Sequence, residues 1–305
     1  MPKKASRAML LVMLLVMLLG ALAVAQGQRA LGDYLDVYIA QVKPEKRAEF
    51  DAINVKMAAA NRQNKGDIWV AMETVYGPGN QVTFVSTRNN YGEVESAMGA
   101  FEQALTKAYG KTGMDKLGQD FNACVVNTRQ EIRRRRWDLS SNAPADLAAY
   151  TKLIADSRWL RTIAVHVRPG LSPAFEDLLK DLKAAREKAS PALTVLVSQA
   201  VAGQEGTVYY VTTLEPSLAA FDSIPSTQEL LGDEGYARFL KVNAETISGA
   251  ETVINHFLPE LSNPPERIVA AAPDFWKTKA VVAKSASKPP AVNAAETSKM
   301  GDKNK

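Results

Sequence analysis

Tyr34-Leu35-Asp36-Val37-Tyr38-Ile39-Ala40-Gln41-Val42-Lys43-Pro44 and Trp159-Leu160-Arg161-Thr162-Ile163-Ala164-Val165-His166-Val167-Arg168-Pro169 lie over one another at an offset of 125 residues. At the same offset Phe50 falls on Phe175. Further on, Thr83-Phe84-Val85-Ser86-Thr87 matches Tyr209-Tyr210-Val211-Thr212-Thr213 with one residue inserted. Near the ends, Asp138-Leu139-Ser140 matches Glu260-Leu261-Ser262. A correspondence of this length sets the architecture before any single element does. It reads as two copies of one unit, each about a hundred residues long.

Within each copy the periodicity changes in the same order. A strand covers 34–42 and 159–167. The next segment places Phe50, Ile53, Met57 and Ala60, or Phe175, Leu178, Leu179, Leu182 and Ala185, on one stripe of a helix. Ser172-Pro173 is a helix-start signal. Two strands follow, 68–76 and 81–87 joined by Gly77-Pro78-Gly79, and 193–201 and 207–213 joined through Gly203 and Gly206. Helical segments are expected at 91–109, 113–127, 225–231 and 234–247, and last strands at 132–137 and 252–258.

The order β-α-β-β-α-β is the ferredoxin-like unit. The fold class is therefore α+β, with two ferredoxin-like repeats packed sheet face to sheet face as a pseudo-dimeric barrel. The boundaries read as a leader at 1–25, the first repeat at 32–140, a linker at 141–157, the second repeat at 158–262, and a tail at 263–305. That tail is expected to be loosely docked and then, with its Lys, Ala, Ser and Pro, disordered.

On its order of elements and these few positions the chain resembles the dimeric α+β barrel superfamily, which includes NIPSNAP-like proteins and antibiotic-biosynthesis-type monooxygenases. The resemblance implies the barrel. For activity it leaves cofactor-free monooxygenases, haem-handling enzymes, isomerases and proteins without catalysis all open.

Charge narrows the partners. The net +4 is uneven, because Lys3, Lys4 and Arg7 supply +3 and residues 276–305 supply +5, leaving −4 for residues 26–275. An acidic body argues against nucleic acid. Lys3, Lys4 and Arg7, an apolar run from Ala8 and Ala23-Val24-Ala25 describe an export signal, so the mature chain is expected to be periplasmic or secreted. Membrane contact is then expected only through that segment if it stays uncleaved. The single Cys124 excludes an internal disulfide and a cysteine-built metal site, and it reads as core.

No G-x-S-x-G, P-loop, H-E-x-x-H or dinucleotide fingerprint is present, so no catalytic residue and no metal ligand is named. The candidate ligand residues are Tyr38, Trp69, Glu73, Arg134 and His166. Arg133-Arg134-Arg135-Arg136 in a strand would put two guanidiniums inside the barrel, where one could hold a carboxylate. Trp69 and Glu73 share a strand face near Tyr38 and suit a small pocket, although Trp69 could equally be core and Glu73 an ion-pair partner. His166 and His256 lie too far apart to share a metal, and each reads as a lone haem ligand, an acid/base or a plain edge histidine. The expected role is non-catalytic binding of a small hydrophobic or carboxylate-bearing ligand, or assembly. The alternative is a dimeric-barrel enzyme, cofactor-free or haem-handling. Association of chains into a homo-oligomer is left open.

Overall fold

The computed structural model of the chain describes residues 31–190 and 192–277. The leader and the basic end of the tail lie outside the described residues. Eight strands form a closed antiparallel barrel: β1 (Tyr34–Val42), β2 (Val70–Tyr76), β3 (Gln81–Arg88), β4 (Val125–Arg135), β5 (Trp159–Val167), β6 (Val195–Ala202), β7 (Thr207–Glu215) and β8 (Ile247–Phe257). Round the barrel they run β1-β3-β2-β8-β5-β7-β6-β4. The first half contributes β4-β1-β3-β2 and the second β8-β5-β7-β6, the same order in both.

The halves do more than face one another. Their edges pair, Met72↔Phe257 to Tyr76↔Ile254 between β2 and β8, and Ile132↔Ala202 to Arg135↔Ser198 between β4 and β6. Closure of this kind removes the free edges that two stacked sheets would leave. Strands β4 and β8 also begin earlier than their sequence suggested. Their first residues are largely exposed, so no apolar pattern marked them.

Helices lie outside. In the first half α1 (Arg47–Asn64) and α2 (Tyr91–Cys124) cover the sheet, and in the second α4 (Ser172–Ala189) and α5 (Thr227–Thr246) do so. Between the halves runs α3 (Leu147–Asp156). On α1, Phe50, Ile53, Met57 and Ala60 pack on Ala40, Val42, Ala71 and Val82 of the sheet, as the stripe required. Gly110 in α2 and Gly232 in α5 each break their helix at φ 68. Asn90 starts α2 by accepting from Glu93 N at 3.0 Å, and a reciprocal Ser226–Glu229 capping box starts α5.

Alternation assigns the two faces. Val37, Val70, Val85 and Glu131 share a register and face the lumen. One barrel end is plugged. Lumen-facing Met72, Leu160, Leu196, Leu214 and Phe257 pack with Tyr150 and Ile154 of α3, Ile268 of α6 (Glu266–Ala271) and Trp276 of α7 (Pro273–Trp276). The stretch from 263, expected to be loosely docked, is thus seated in the described part. Trp276 is 1% exposed and donates its indole N–H to Ala155 O at 3.2 Å. Its two aromatics, Phe275 and Trp276, supply the buried surface that holds it.

Candidate functional site

A cavity of about 570 Å³ lies outside the lumen, between the sheet of the first half and the helices α1 and α2. Helix-facing strand positions supply Asp36 and Tyr38 from β1, Phe84 and Ser86 from β3, and Trp69 just ahead of β2. Met57 and Asn54 come from α1. The break at Gly110 divides α2 into two arms, and Met98, Phe101 and Glu102 come from one arm while Gly118 and Phe121 come from the other. The rings meet edge-on or tilted, with Tyr38–Phe84 at 6.2 Å, Tyr38–Phe121 at 6.1 Å and Trp69–Phe101 at 5.8 Å.

Trp69 is held from behind. Its indole N–H donates to Leu261 O at 2.7 Å, and its backbone bridges to Asn263. The far end of the chain therefore fixes one wall of a cavity built by the near end. At the polar side, Arg88 donates to Asp67 at 2.8 Å and to Asp36 at 3.3 Å. Burial raises the Asp67 carboxyl above its usual range, with Arg88 opposing. Burial likewise raises the Tyr38 phenol, against a hydrogen bond with Thr128.

Inside the lumen, on the other side of β4, sits a second polar group. Glu131, whose side chain is fully buried, accepts from Arg133 Nε at 2.7 Å, Tyr210 Oη at 2.7 Å and Gln204 Nε2 at 2.6 Å, and pairs with Arg129 at 2.7 Å. Burial alone would raise this carboxyl, but Arg133 and the Tyr210 hydroxyl hold it below its usual value. Burial pushes Tyr210 up to about 12. Gln204 belongs to the β6–β7 turn, which presses on β4 through Gly203. A Cβ there would fall 2.0 Å from Gln130 O. The mouth of the barrel at this end is a wide polar recess of about 850 Å³ with Arg129, His166, Gln204 and Ser248 around it.

Of the five candidates, Tyr38 and Trp69 line the aromatic cavity. Glu73 lies on the same sheet face but pairs with Arg47 of α1 at 2.8 Å, outside the cavity lining. Arg134 is exposed, because the alternation of β4 turns Arg129, Glu131, Arg133 and Arg135 inward and Arg134 outward. His166 is exposed at the barrel mouth. His256 lies at the β2–β8 seam against Trp159, 4.5 Å between centroids. Sequence reading missed Asp36, Asp67, Arg88, Phe101 and Phe121. Asp36 carried a usable signal, an acid on the same strand face as Tyr38, Ala40 and Val42.

The lining does not suit haem. It holds no histidine or cysteine for an axial bond, and its one phenol is shifted away from ionisation. Asp36, Asp67 and Glu102 would add negative charge beside a group that carries carboxylates of its own. Among the described residues no three His, Cys, Asp or Glu side chains are placed to hold a metal ion, and no helix is long and apolar enough to cross a membrane.

No family model matches the chain, and no curated protein matches it. Several solved structures are weakly similar to it. A monooxygenase candidate from Lactobacillus acidophilus NCFM is 10% identical over 73% of this chain and 93% of its own, at a TM-score of 0.46. An anthrone oxidase-like protein is 12% identical over 75% and 93%, at 0.45. A single-site mutant of chlorite dismutase from Candidatus Nitrospira defluvii is 10% identical over 80% and 98%, at 0.45. These likenesses assign no activity to the chain.

Proposed function

We propose that the chain is an exported, periplasmic or secreted protein made by tandem duplication of one ferredoxin-like unit, and that its first half binds a small, largely apolar ligand. The carrying observation is the aromatic cavity under α1 and α2. A concave site with apolar walls and a few polar groups on one side is the usual form of a small-molecule site.

Gly118 gives a direct test. It lines the cavity, and a Cβ built there meets nothing within 4 Å. Gly118→Phe should therefore fill the space without a backbone clash. The neutral fluorophore N-phenyl-1-naphthylamine should bind the unaltered protein at one saturable site and fail to bind the variant, with unfolding midpoints alike. Equal binding by both would remove the cavity from consideration.

A second reading, cofactor-free oxygenation of an electron-rich phenol, draws on Asp67. Its carboxyl, raised by burial at the cavity wall, is a candidate base for a phenolic proton. Oxygen uptake with simple polyphenols, lost in Asp67→Asn, would support it. No uptake across such a panel would leave binding alone.

A further inference from the structure

We propose that the aromatic cavity of the first half selects cationic ligands, an ammonium group on an apolar body, over carboxylates of the same shape. This rests on the cavity being a ligand site and adds the charge class of what enters it.

The lining contains acids and no bases. Asp36, Asp67 and Glu102 face the space, and no lysine, arginine or histidine does. The neighbouring cation is Arg88, whose side chain is only 6% exposed and which is shared between Asp36 and Asp67. Two carboxylates on one guanidinium leave a net negative charge in a partly buried place, where charges are screened less than at the surface.

The walls favour the same sign. An ammonium within about 6 Å of an aromatic face is attracted by the ring quadrupole, most strongly at tryptophan. Trp69, Tyr38 and Phe84 present such rings in the cavity. A ligand carboxylate would meet those faces and both aspartates, while Arg88, whose Nε has no partner among the described residues, lies behind the aspartates and outside the lining. The arginines that could have received it are spent or turned away. Arg133 holds Glu131 in the lumen, and Arg134 points to solvent.

Three probes of one shape separate the cases: protonated 2-phenylethylamine, neutral 2-phenylethanol and anionic 3-phenylpropionate, titrated calorimetrically into the full mature chain near pH 7.5. The amine should bind roughly tenfold or more tighter than the alcohol, and the acid correspondingly weaker, at low ionic strength. Added salt should narrow the gap. Asp67→Asn should collapse the order, and Glu102→Gln, at the exposed rim, should shrink it in a variant with little reason to misfold.

If all three probes bind alike and all are lost in Gly118→Phe, the cavity is a site and the charge selection is wrong. If the acid binds tightest, the selection is reversed. If none binds while the protein is folded, the cavity reading fails and the selection with it.

Discussion

Glu131 should be the most expensive side chain in the barrel to neutralise, and the reason is the position of its two ion pairs. One partner, Arg133, is 14% exposed and the other, Arg129, is 53% exposed, while Glu131 itself is 0% exposed. Removing one member of a buried pair costs about 3–5 kcal/mol because the other charge is left uncompensated. An exposed pair contributes about 0–1 kcal/mol. Glu131→Leu should therefore destabilise by about 3–5 kcal/mol. Glu131→Gln, which keeps the volume and one acceptor oxygen, should cost about 2–3 kcal/mol. Arg129→Ala should cost under about 1 kcal/mol although its ion pair is equally short. At a urea slope of about 2–3 kcal/mol/M the Leu variant shifts the midpoint by roughly 1–2.5 M. Glu131→Leu combined with Arg133→Met should regain much of the loss, since the stranded guanidinium is then gone. Urea unfolding followed by far-ultraviolet circular dichroism measures all four. An Arg129→Ala shift as large as that of Glu131→Gln, or a double variant no better than Glu131→Leu, would refute the reasoning.

Gly203→Ala should weaken the β4–β6 seam, because φ is +82 and the added Cβ would overlap Gln130 O. A loss of about 2 kcal/mol or more is expected by urea unfolding, with faster amide exchange in 199–204. Arg135 is 7% exposed, and among the described residues its Nε has no partner and its guanidinium reaches only the Tyr150 hydroxyl and the rings of Tyr150 and Trp137. With no carboxylate to strand, Arg135→Met should be neutral or stabilising by thermal unfolding, and a large loss would mean an unseen counter-charge. Stability should also fall with acid in two windows. His256 is depressed below 6.5 by burial, so its contribution is complete above that pH and is lost as pH falls through its folded value. His256→Asn should flatten that window. Glu176, hydrogen-bonded by Arg136, is lowered to about 2, so its contribution holds above about 4.5 and drains between there and 2. Midpoints in urea from pH 8 to 3 test both.

The β-α-β-β-α-β order was legible because each element announces its own period. The stripe Phe50–Ile53–Met57 and the alternation of Tyr34–Val42 are local facts. The barrel was expected from the resemblance, but which edges seal it was not legible, since Met72↔Phe257 and Arg135↔Ser198 join residues far apart in sequence through backbone groups that carry no side-chain signature. The arginine run shows the limit sharply. Alternation said that two guanidiniums point inward and that one could hold a carboxylate, and Arg133 does so. Which two was beyond it, because the phase of β4 is set by its pairing with β1, Leu35↔Arg133 and Val37↔Glu131. The partner turned out to be the chain's own Glu131, two residues away on the same strand face. In the cavity, Tyr38 and Trp69 were readable as aromatics on one sheet face. Phe101 and Phe121 were not, because the break at Gly110 decides which residues of α2 look down on the sheet.

The two halves share an order of strands, yet they treat the place under their helices differently. By pairing register, Asp36 answers to Arg161 and Tyr38 to Ile163, both on the first strand of a half, while on the third Arg88 answers to Glu215 and Ser86 to Thr213, one residue on from the Thr212 that the sequence match gave it, so two residues and not one are inserted before this strand. The acid and base have exchanged strands, and a phenol has become an aliphatic side chain. In the second half Phe175, Leu179, Leu182, Val197 and Tyr209 pack together there, with Leu231 and Phe239 against them, and Tyr209 spends its hydroxyl on Glu176 at 2.6 Å. That half works instead as a frame for the first. Leu261 holds the Trp69 indole at the cavity wall, Tyr210 and Gln204 hold Glu131 beneath β4, and the short β2–β8 and β4–β6 seams fix both edges of the sheet that floors the cavity. A ligand site of this kind depends on side chains whose rotamers are locked by packing and hydrogen bonds behind them. The cavity of the first half is therefore a property of the whole barrel, and loosening the second half at Leu261 or Gly203, neither of which lines the cavity, should loosen binding through the lining residues they hold, Trp69 and Gln130.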